Sequence, residues 1–97
     1  MQGHAAANLI PVIAANRVGV EGVTPCIENG NQRSSLNFYG YSFITDSTGA
    51  VIASMNREEE GIIWASFDLD QLMTNRKNWG FFRDRRPDMY QKITGKF

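Results

Sequence analysis

The chain has 97 residues, with ten basic and ten acidic side chains, and therefore carries no formal net charge at neutral pH. This length suits one domain with no separate second domain, and charge neutrality does not favour a polyanionic partner. The single cysteine, Cys26, excludes an internal disulfide and fits a reducing compartment. The longest apolar stretch, residues 9–15, is interrupted by Pro11 and is too short to span a membrane, and the amino terminus lacks a signal-peptide profile. We therefore expect a cytoplasmic protein without a membrane partner.

The first third of the chain predicts a helix, a strand and a loop. Residues 1–8 are rich in alanine and predict a helix that ends near Asn8. This segment has no N-cap residue, so we expect it to be the last turns of a longer helix. The apolar residues 9–16 predict a buried strand. Residues 17–36 contain three glycines, a proline, two asparagines and two serines, and they predict a long irregular loop that serves function or a partner.

The middle of the chain predicts a three-stranded meander. We expect strands at 38–45, 50–55 and 61–67, with a tight turn at 46–49, where the sequence reads Asp-Ser-Thr-Gly. Alternation places Tyr41 and Phe43 on one face and Ile44 on the other, and the remaining strands also carry apolar side chains on both faces.

A sheet that is apolar on both faces needs cover on both faces, but this chain has only one complete amphipathic helix. We expect polypeptide outside these 97 residues to supply the rest of the cover, either further upstream sequence, a second subunit, or both.

That helix is predicted over residues 69–79. Asp68 is suited to the N-cap position, Gln71 stands where a capping box would place its side chain, and Gly80 can adopt the left-handed conformation that ends a helix. The side chains expected on its inner face are Leu69, Leu72 and Met73.

Charge is distributed unevenly along the chain. From Arg76 to the carboxyl terminus there are seven basic residues, the last of them Lys96, against two acidic residues. The balancing acids include the run Glu58-Glu59-Glu60, which we interpret as a solvated turn. The sequence therefore predicts a basic tail.

Several blocks of this sequence, in this order, resemble the end of a carbon–nitrogen hydrolase of the nitrilase superfamily, and the likeness fails mainly between about residues 20 and 36. The blocks are MQGHAAAN at 1–8, VIAANRVG at 12–19, FYGYSFI at 38–44, DLD at 68–70 and WGFFRDRRPDMY at 79–90. The resemblance implies an α/β fold, with this chain as the carboxyl-terminal part of a single α-β-β-α sandwich domain. In this part, a strand and a three-stranded meander are flanked by a helix and followed by the basic tail.

The resemblance also implies a chemistry. The family uses a cysteine nucleophile, a glutamate general base and a lysine that stabilises the oxyanion, with no metal or cofactor. The family positions for all three precede the part matched here, and Cys26 lies where the likeness fails, so we interpret it as incidental. We therefore predict that the isolated chain is inactive. The implied partners are a small-molecule amide or carbamoyl substrate in the complete enzyme, and upstream polypeptide or further copies in a homo-oligomer.

Four residues are candidates for contacting substrate or supporting the active site. Asn16 and Arg17 end the first predicted strand, and ligands gather at the carboxyl ends of strands in sheets of this sort. A purely structural role in turning the chain remains open for both. Gly40 allows close approach of the backbone, and Ser42 can donate a hydrogen bond.

The remaining candidates are interface residues. His4 is interpreted as a packed or hydrogen-bonded interface side chain, because no second histidine, cysteine or acid stands at metal-ligand spacing. Arg83, Arg85 and Arg86, with Asp84 among them, are expected to pair with acids of the body or of a neighbouring subunit.

Two alternatives stay open. The first is a nucleic-acid or anion-binding module, in which basic tail residues meet phosphates while nearby aromatic side chains stack on bases. Its residues would be Arg83, Arg85, Arg86 and Lys92 with Trp79, Phe81, Phe82 and Tyr90. The second is a structural chain that completes an amidase whose catalytic residues lie on another polypeptide. The neutral net charge argues against nucleic acid as a partner.

Overall fold

A computed structural model describes residues 1–95 of the chain, so Lys96 of the predicted basic tail lies outside the described residues. The helices are α1 (Gln2–Asn8), α2 (Leu69–Trp79) and α3 (Gln91–Thr94). The strands are β1 (Ile13–Ala14), β2 (Val18–Gly22), β3 (Ser35–Tyr39), β4 (Phe43–Thr45) and β5 (Val51–Ser54). Short 3₁₀ turns lie at Ile27–Asn29 and Pro87–Met89.

The strands form two antiparallel sheets. The first has the order β1-β4-β5, with Ile13 opposite Ile44 and Ile44 opposite Ala53. The second is the hairpin of β2 and β3. The presence of both helices and sheets confirms the predicted α/β character of the chain.

Both ends of the main predicted helix are confirmed. The carboxylate of Asp68 accepts a hydrogen bond from the backbone N–H of Gln71 at 3.0 Å, and Gly80 ends α2 with a φ of 68°. The capping-box prediction is wrong, because the side-chain amide of Gln71 donates forward to Asn75 rather than back to the N-cap. The first helix also ends at Asn8, as predicted.

The predicted strand at 9–16 is shorter in the structure. Leu9 adopts a left-handed conformation with a φ of 52° as the C-cap of α1, so extended pairing is confined to Ile13 and Ala14. The predicted loop at 17–36 is wrong in its flanks, because its two ends pair as the β2–β3 hairpin. Only the connection between those two strands is irregular.

The predicted meander is correct only at its hairpin, where β4 and β5 flank the turn at 46–49. The single strand expected at 38–45 is broken by positive φ angles of 64° at Gly40 and 59° at Tyr41. Residues 61–67 keep the alternation of a strand, since Ile63, Ala65 and Phe67 are partly buried and the residues between them are exposed. They pair with no described strand, so the predicted third strand is absent from the sheet.

Apolar surface is left uncovered in the described part of the chain. The buried side chains are Ala5, Leu9, Ile44 and Thr45. On the predicted inner face of α2, Leu69 is 75% exposed and Met73 is 51% exposed, whereas Leu72 is partly buried, so this helix buries little of that face.

Global dimensions agree with this lack of a core. The accessible surface is 8207 Å², against roughly 5,600 Å² for a folded monomer of this mass. The radius of gyration is 20.5 Å, against about 12–13 Å for a compact domain of this length. The sequence-based expectation that this sheet needs further cover is therefore supported.

Candidate functional site

The predicted site-supporting residues lie together. Asn16, Arg17, Gly40 and Ser42 all line one cleft of about 370 Å³, where the chain leaves β1 and where it passes from β3 to β4. The rest of the lining comes from Val18 and Glu21 and from the segment after β5, through Met55, Asn56, Glu59, Glu60 and Gly61. Residues that are 24 to 26 positions apart in the sequence thus meet in one site.

Hydrogen bonds hold Asn16 and Ser42 in place. The backbone N–H of Asn16 donates to the Ser42 hydroxyl at 2.8 Å, and that hydroxyl lies 3.3 Å from the Asn16 carbonyl, to which it can donate. The side-chain amide of Asn16 donates to the carbonyl of Gly40 at 2.9 Å and accepts from the backbone N–H of Arg17 at 2.8 Å. These contacts join the end of β1 to the β3–β4 connection, which gives both side chains a structural role.

Gly40 is required by the close approach of two backbone segments. It is buried and has a φ of 64°, and a Cβ placed on it would lie 2.8 Å from the carbonyl oxygen of Asn56 and 2.8 Å from a methyl group of Val18. The neighbouring N–H of Tyr41 donates to that same carbonyl of Asn56 at 3.2 Å. The predicted close approach is therefore present, and it is an approach of protein to protein.

Arg17 is held at the rim of the cleft by two contacts. Its guanidinium forms an ion pair with Glu21, four residues further along the chain, and it stacks over the ring of Phe38 with 4.6 Å between the guanidinium carbon and the ring centroid. Both partners lie on the β2–β3 hairpin. The β2–β3 hairpin, which the sequence analysis did not predict, therefore orients Arg17.

The cleft also contains residues that the sequence analysis did not assign to it. Glu59 and Glu60 line it. Both are exposed, which agrees with the predicted solvated turn, but the sequence analysis did not place that turn at the cleft. The Asn56 side-chain oxygen accepts hydrogen bonds from the backbone N–H groups of Glu58 and Glu59 at 3.0 and 2.8 Å. An asparagine two residues before such a turn is a recognisable signal for this arrangement. The cleft is therefore polar, lined by the carboxylates of Glu21, Glu59 and Glu60 and by the guanidinium of Arg17.

The predicted interface residues lie away from this cleft. His4 is exposed on α1. Arg83 forms two hydrogen bonds with the carboxylate of Asp84, the shorter 2.8 Å long, and the guanidinium of Arg85 donates to the carbonyl of Phe82 at 2.8 Å. These contacts are local to the tail, whereas the sequence analysis expected partners in the body or in a neighbouring subunit.

Ion pairing also shifts the titration of the tail. Hydrogen bonds from Arg83 lower the pKa of Asp84, and hydrogen bonds from Arg86, 2.7 Å away at the closest atoms, lower the pKa of Asp88. Both carboxylates are exposed, so these pairs add charge-assisted contacts without a buried charge.

Cys26 does not lie in the cleft. It is exposed and precedes the 3₁₀ turn at Ile27–Asn29 in the β2–β3 connection. No cluster of three histidine, cysteine or acidic side chains among residues 1–95 is placed to hold a metal ion. None of the helices in that range combines the length and apolar character needed to cross a bilayer.

Comparison with known proteins identifies the class to which this α/β chain belongs. The carbon–nitrogen hydrolase family model matches residues 1–77, and the chain belongs to this family. It is 47% identical over 93 residues to the N-carbamoylputrescine amidase of Solanum tuberosum, and this alignment covers 96% of this chain and 30% of that protein. It is 45% identical over 97 residues to the citrullinase of Francisella tularensis subsp. tularensis, covering all of this chain and 31% of that protein.

A solved structure supports the same conclusion about the fold. The crystal structure of a carbon–nitrogen hydrolase from Helicobacter pylori G27 superimposes with a TM-score of 0.73 at 38% identity, and the match covers 99% of this chain and 31% of that one. The chain thus spans about a third of the length of the relatives that it matches.

Proposed function

We propose that this chain is the carboxyl-terminal part of a single-domain amidohydrolase that acts on linear C–N bonds and converts N-carbamoylputrescine to putrescine, ammonia and carbon dioxide. The observation that carries the proposal is the 47% identity to an N-carbamoylputrescine amidase over 96% of the chain. The citrullinase match favours the same group chemistry, because citrulline and N-carbamoylputrescine both end in a carbamoyl group on nitrogen.

The hydrogen bonds that join the residues of the cleft support this proposal. Asn16 is hydrogen-bonded to Ser42 and to the carbonyl of Gly40, and Gly40 packs closely against the backbone of Asn56. Such fixed polar groups can position a small substrate or the residues that act on it. In this proposal Asn16, Arg17, Gly40 and Ser42 contact the substrate or support the active site, while the nucleophile, general base and oxyanion donor lie in the upstream part of the same domain.

The proposed complete enzyme has the α-β-β-α sandwich of its superfamily. The uncovered faces of β1, β4 and β5 and the exposed apolar side of α2 provide the surface that the missing layers would bury. We place further polypeptide of the same domain there, and we propose a cytoplasmic homo-oligomer as the working form. Its implied partner molecule is a small amide or carbamoyl compound.

The isolated chain is proposed to be inactive, because Cys26 lies outside the cleft and no lysine among residues 1–95 lines it. The nucleic-acid alternative has no support from the relatives, and two of its arginines, Arg83 and Arg86, are already paired with aspartates. The structural-chain alternative likewise has no supporting observation.

The test uses purified chain, alone and co-expressed with the upstream two-thirds of the potato relative. Release of ammonia and putrescine from N-carbamoylputrescine is measured, with citrulline as a second substrate. We expect no turnover by the chain alone and turnover by the co-expressed pair. Turnover by the chain alone that is lost in Cys26→Ala would overturn the proposed inactivity.

A matched pair of variants then tests the cleft in the co-expressed enzyme. Asn16→Ala should lower kcat/KM by about tenfold or more, because the positioning contacts to Gly40 and Arg17 are lost. Arg33→Ala, in the β2–β3 connection and away from the cleft, serves as the control and should leave kcat/KM unchanged. Equal effects would contradict the assignment of the cleft.

A further inference from the structure

A second hollow opens beside the cleft. It has a volume of about 700 Å³, and its lining includes Tyr41, Phe43 and Glu59. Met55, Asn56 and Glu59 line both the hollow and the cleft, so the two spaces are adjacent. A small substrate seated in the cleft can therefore extend into the hollow.

Tyr41 is the unusual residue of this hollow. Its φ of 59° lies in the left-handed region, which costs a bulky residue free energy and which asparagine or glycine would adopt more readily. The residue is 54% exposed, so burial of its ring does not offset this cost. Strained residues of this kind cluster at functional sites. Conformation and exposure together indicate that the Tyr41 ring is placed for a ligand.

The surroundings of this ring suit a cation. The guanidinium carbon of Arg57 lies 6.0 Å from the centroid of the Tyr41 ring, so a positive charge already approaches it. Arg57 is exposed and can move aside. Glu59 is also exposed, and the ion pairs found within residues 1–95 do not include it. An aromatic ring beside a carboxylate is a combination that binds a primary ammonium group.

Asn56 holds both groups at the boundary between the hollow and the cleft. Its backbone carbonyl accepts a hydrogen bond from the N–H of Tyr41 at 3.2 Å. Its side-chain oxygen accepts from the N–H of Glu59 at 2.8 Å. The backbones that carry the ring and the carboxylate are thus fixed to the same residue.

We propose that Tyr41 is a specificity-determining residue, whose ring binds the ammonium end of the substrate with Glu59 as the counter-ion. We name this pair the amine site. The inference rests on the proposed function, because N-carbamoylputrescine has a carbamoyl group at one end and at the other a primary amine, which is protonated at neutral pH as a lysine side chain is. In this arrangement the carbamoyl group lies in the cleft near Asn16 and Ser42, and the methylene chain passes Asn56 into the hollow.

The amine site also discriminates between two carbamoyl compounds. Citrulline carries a carboxylate beside its amine, and the Glu59 carboxylate would repel it. Glu59→Gln should therefore lower the preference for N-carbamoylputrescine over citrulline, expressed as the ratio of the two kcat/KM values, by about 2- to 5-fold.

The main test compares substrates in the co-expressed enzyme. The uncharged reference is N-pentylurea, in which a methyl group replaces the ammonium group. Tyr41→Asn introduces a residue that accepts the left-handed conformation, so the fold should be retained. This variant should lower kcat/KM for N-carbamoylputrescine by about 2- to 30-fold and leave hydrolysis of N-pentylurea unchanged.

Two further variants serve as controls. Tyr41→Phe retains the face of the ring and should restore the preference that Tyr41→Asn loses. Tyr39→Thr removes a neighbouring tyrosine, whose ring centroid is 6.5 Å from that of Tyr41 but which lines neither the cleft nor the hollow, and it should behave like the parent.

A binding measurement separates this inference from the proposed reaction. The co-expressed enzyme is titrated with putrescine in a calorimeter, and butane-1,4-diol serves as the uncharged counterpart. We expect putrescine to bind the parent more tightly than the diol does, and to lose this advantage in Tyr41→Asn. Putrescine binding that depends on Tyr41, without hydrolysis of N-carbamoylputrescine, would support the amine site and overturn the proposed reaction.

Three results would overturn the amine site. The first is hydrolysis of N-carbamoylputrescine with an unchanged preference in Tyr41→Asn, which leaves the proposed reaction standing. The second is an equal loss on both ureas in that variant, because Tyr41 would then act only in packing. The third is a parent enzyme that binds putrescine no better than the diol.

Discussion

Replacing Gly40 by alanine tests whether the cleft is built by the close approach of two backbones. A left-handed φ costs a non-glycine residue roughly 1–2 kcal/mol. The added Cβ would also lie 2.8 Å from the carbonyl of Asn56 and 3.1 Å from that of Arg57. Such overpacking costs typically about 1–3 kcal/mol more. We therefore expect Gly40→Ala to destabilise the contact between the β3–β4 connection and residues 55–57 by about 2–5 kcal/mol.

A matched variant separates the two contributions. Gly30 has a similar φ of 69°, but a Cβ there would have no atom within 4 Å. Gly30→Ala should therefore cost only the conformational part, roughly 1–2 kcal/mol. The steric difference of about 1–3 kcal/mol corresponds to a change of about 5- to 150-fold in the equilibrium constant for local opening.

Amide hydrogen exchange measures this difference directly. The relevant amides are those of the β2–β3 hairpin and the Gly40 N–H, which donates to the carbonyl of Arg17 at 3.0 Å. In the co-expressed enzyme, under conditions in which exchange reports the opening equilibrium, Gly40→Ala should lower protection by this additional factor relative to Gly30→Ala. Equal losses in the two variants would refute the steric reasoning.

Three further predictions concern the helix, the turn and the missing core. Asp68→Ala removes the acceptor for the Gln71 N–H and should lower the stability of α2 by about 1 kcal/mol, seen as reduced helicity by circular dichroism. The hydrogen bond from the Thr48 hydroxyl lowers the pKa of Asp46 in the folded turn. The ionised Asp46 carboxylate therefore stabilises the turn above its unfolded pKa of about 4, and this stabilisation is lost as pH falls through the folded pKa. An NMR titration of the turn amides measures the loss. The chain alone should bind a hydrophobic dye and melt without a cooperative transition, because few of its side chains are buried.

Each of these predictions has a distinguishing control. Asp70→Ala removes a first-turn acid that does not cap the helix and should reduce helicity less than Asp68→Ala does. Asp46→Asn should abolish the pH dependence of the turn, and an unchanged titration in that variant would assign it to another group. A sharp, two-state melt of the isolated chain with no dye binding would contradict the uncovered sheet.

The features predictable from the sequence were those with local causes. The ends of α2 depend on Asp68 and Gly80, and the β4–β5 turn depends on Asp46, whose carboxylate accepts from the N–H groups of Thr48 and Ala50. Each of these signals acts within a few residues, so the sequence is sufficient to identify it.

The features that were missed depend on partners distant in sequence. Leu36 and Phe38 alternate with polar residues in β3, but β2 contains two glycines, which are unfavourable in strands, so the sequence did not mark the two segments as a pair. The strand break needs a positive φ at Tyr41, which no residue preference predicts. In the site, the meeting of Asn16 with Gly40 and Ser42 agrees with the sequence-based candidates, whereas Glu59 reaches the cleft only because the chain after β5 folds back.

The segment at residues 61–67 has a consequence for handling the protein. It contains no charge and no proline, its Ile62 and Trp64 side chains are 92% and 80% exposed, and none of its backbone is paired in a described sheet. Bare, extended, apolar backbone of this kind is a template for intermolecular strand addition and cross-β aggregation. Ile62→Lys would place a charge in this segment and should reduce aggregation during purification. A partner that pairs with the segment would protect it in the same way.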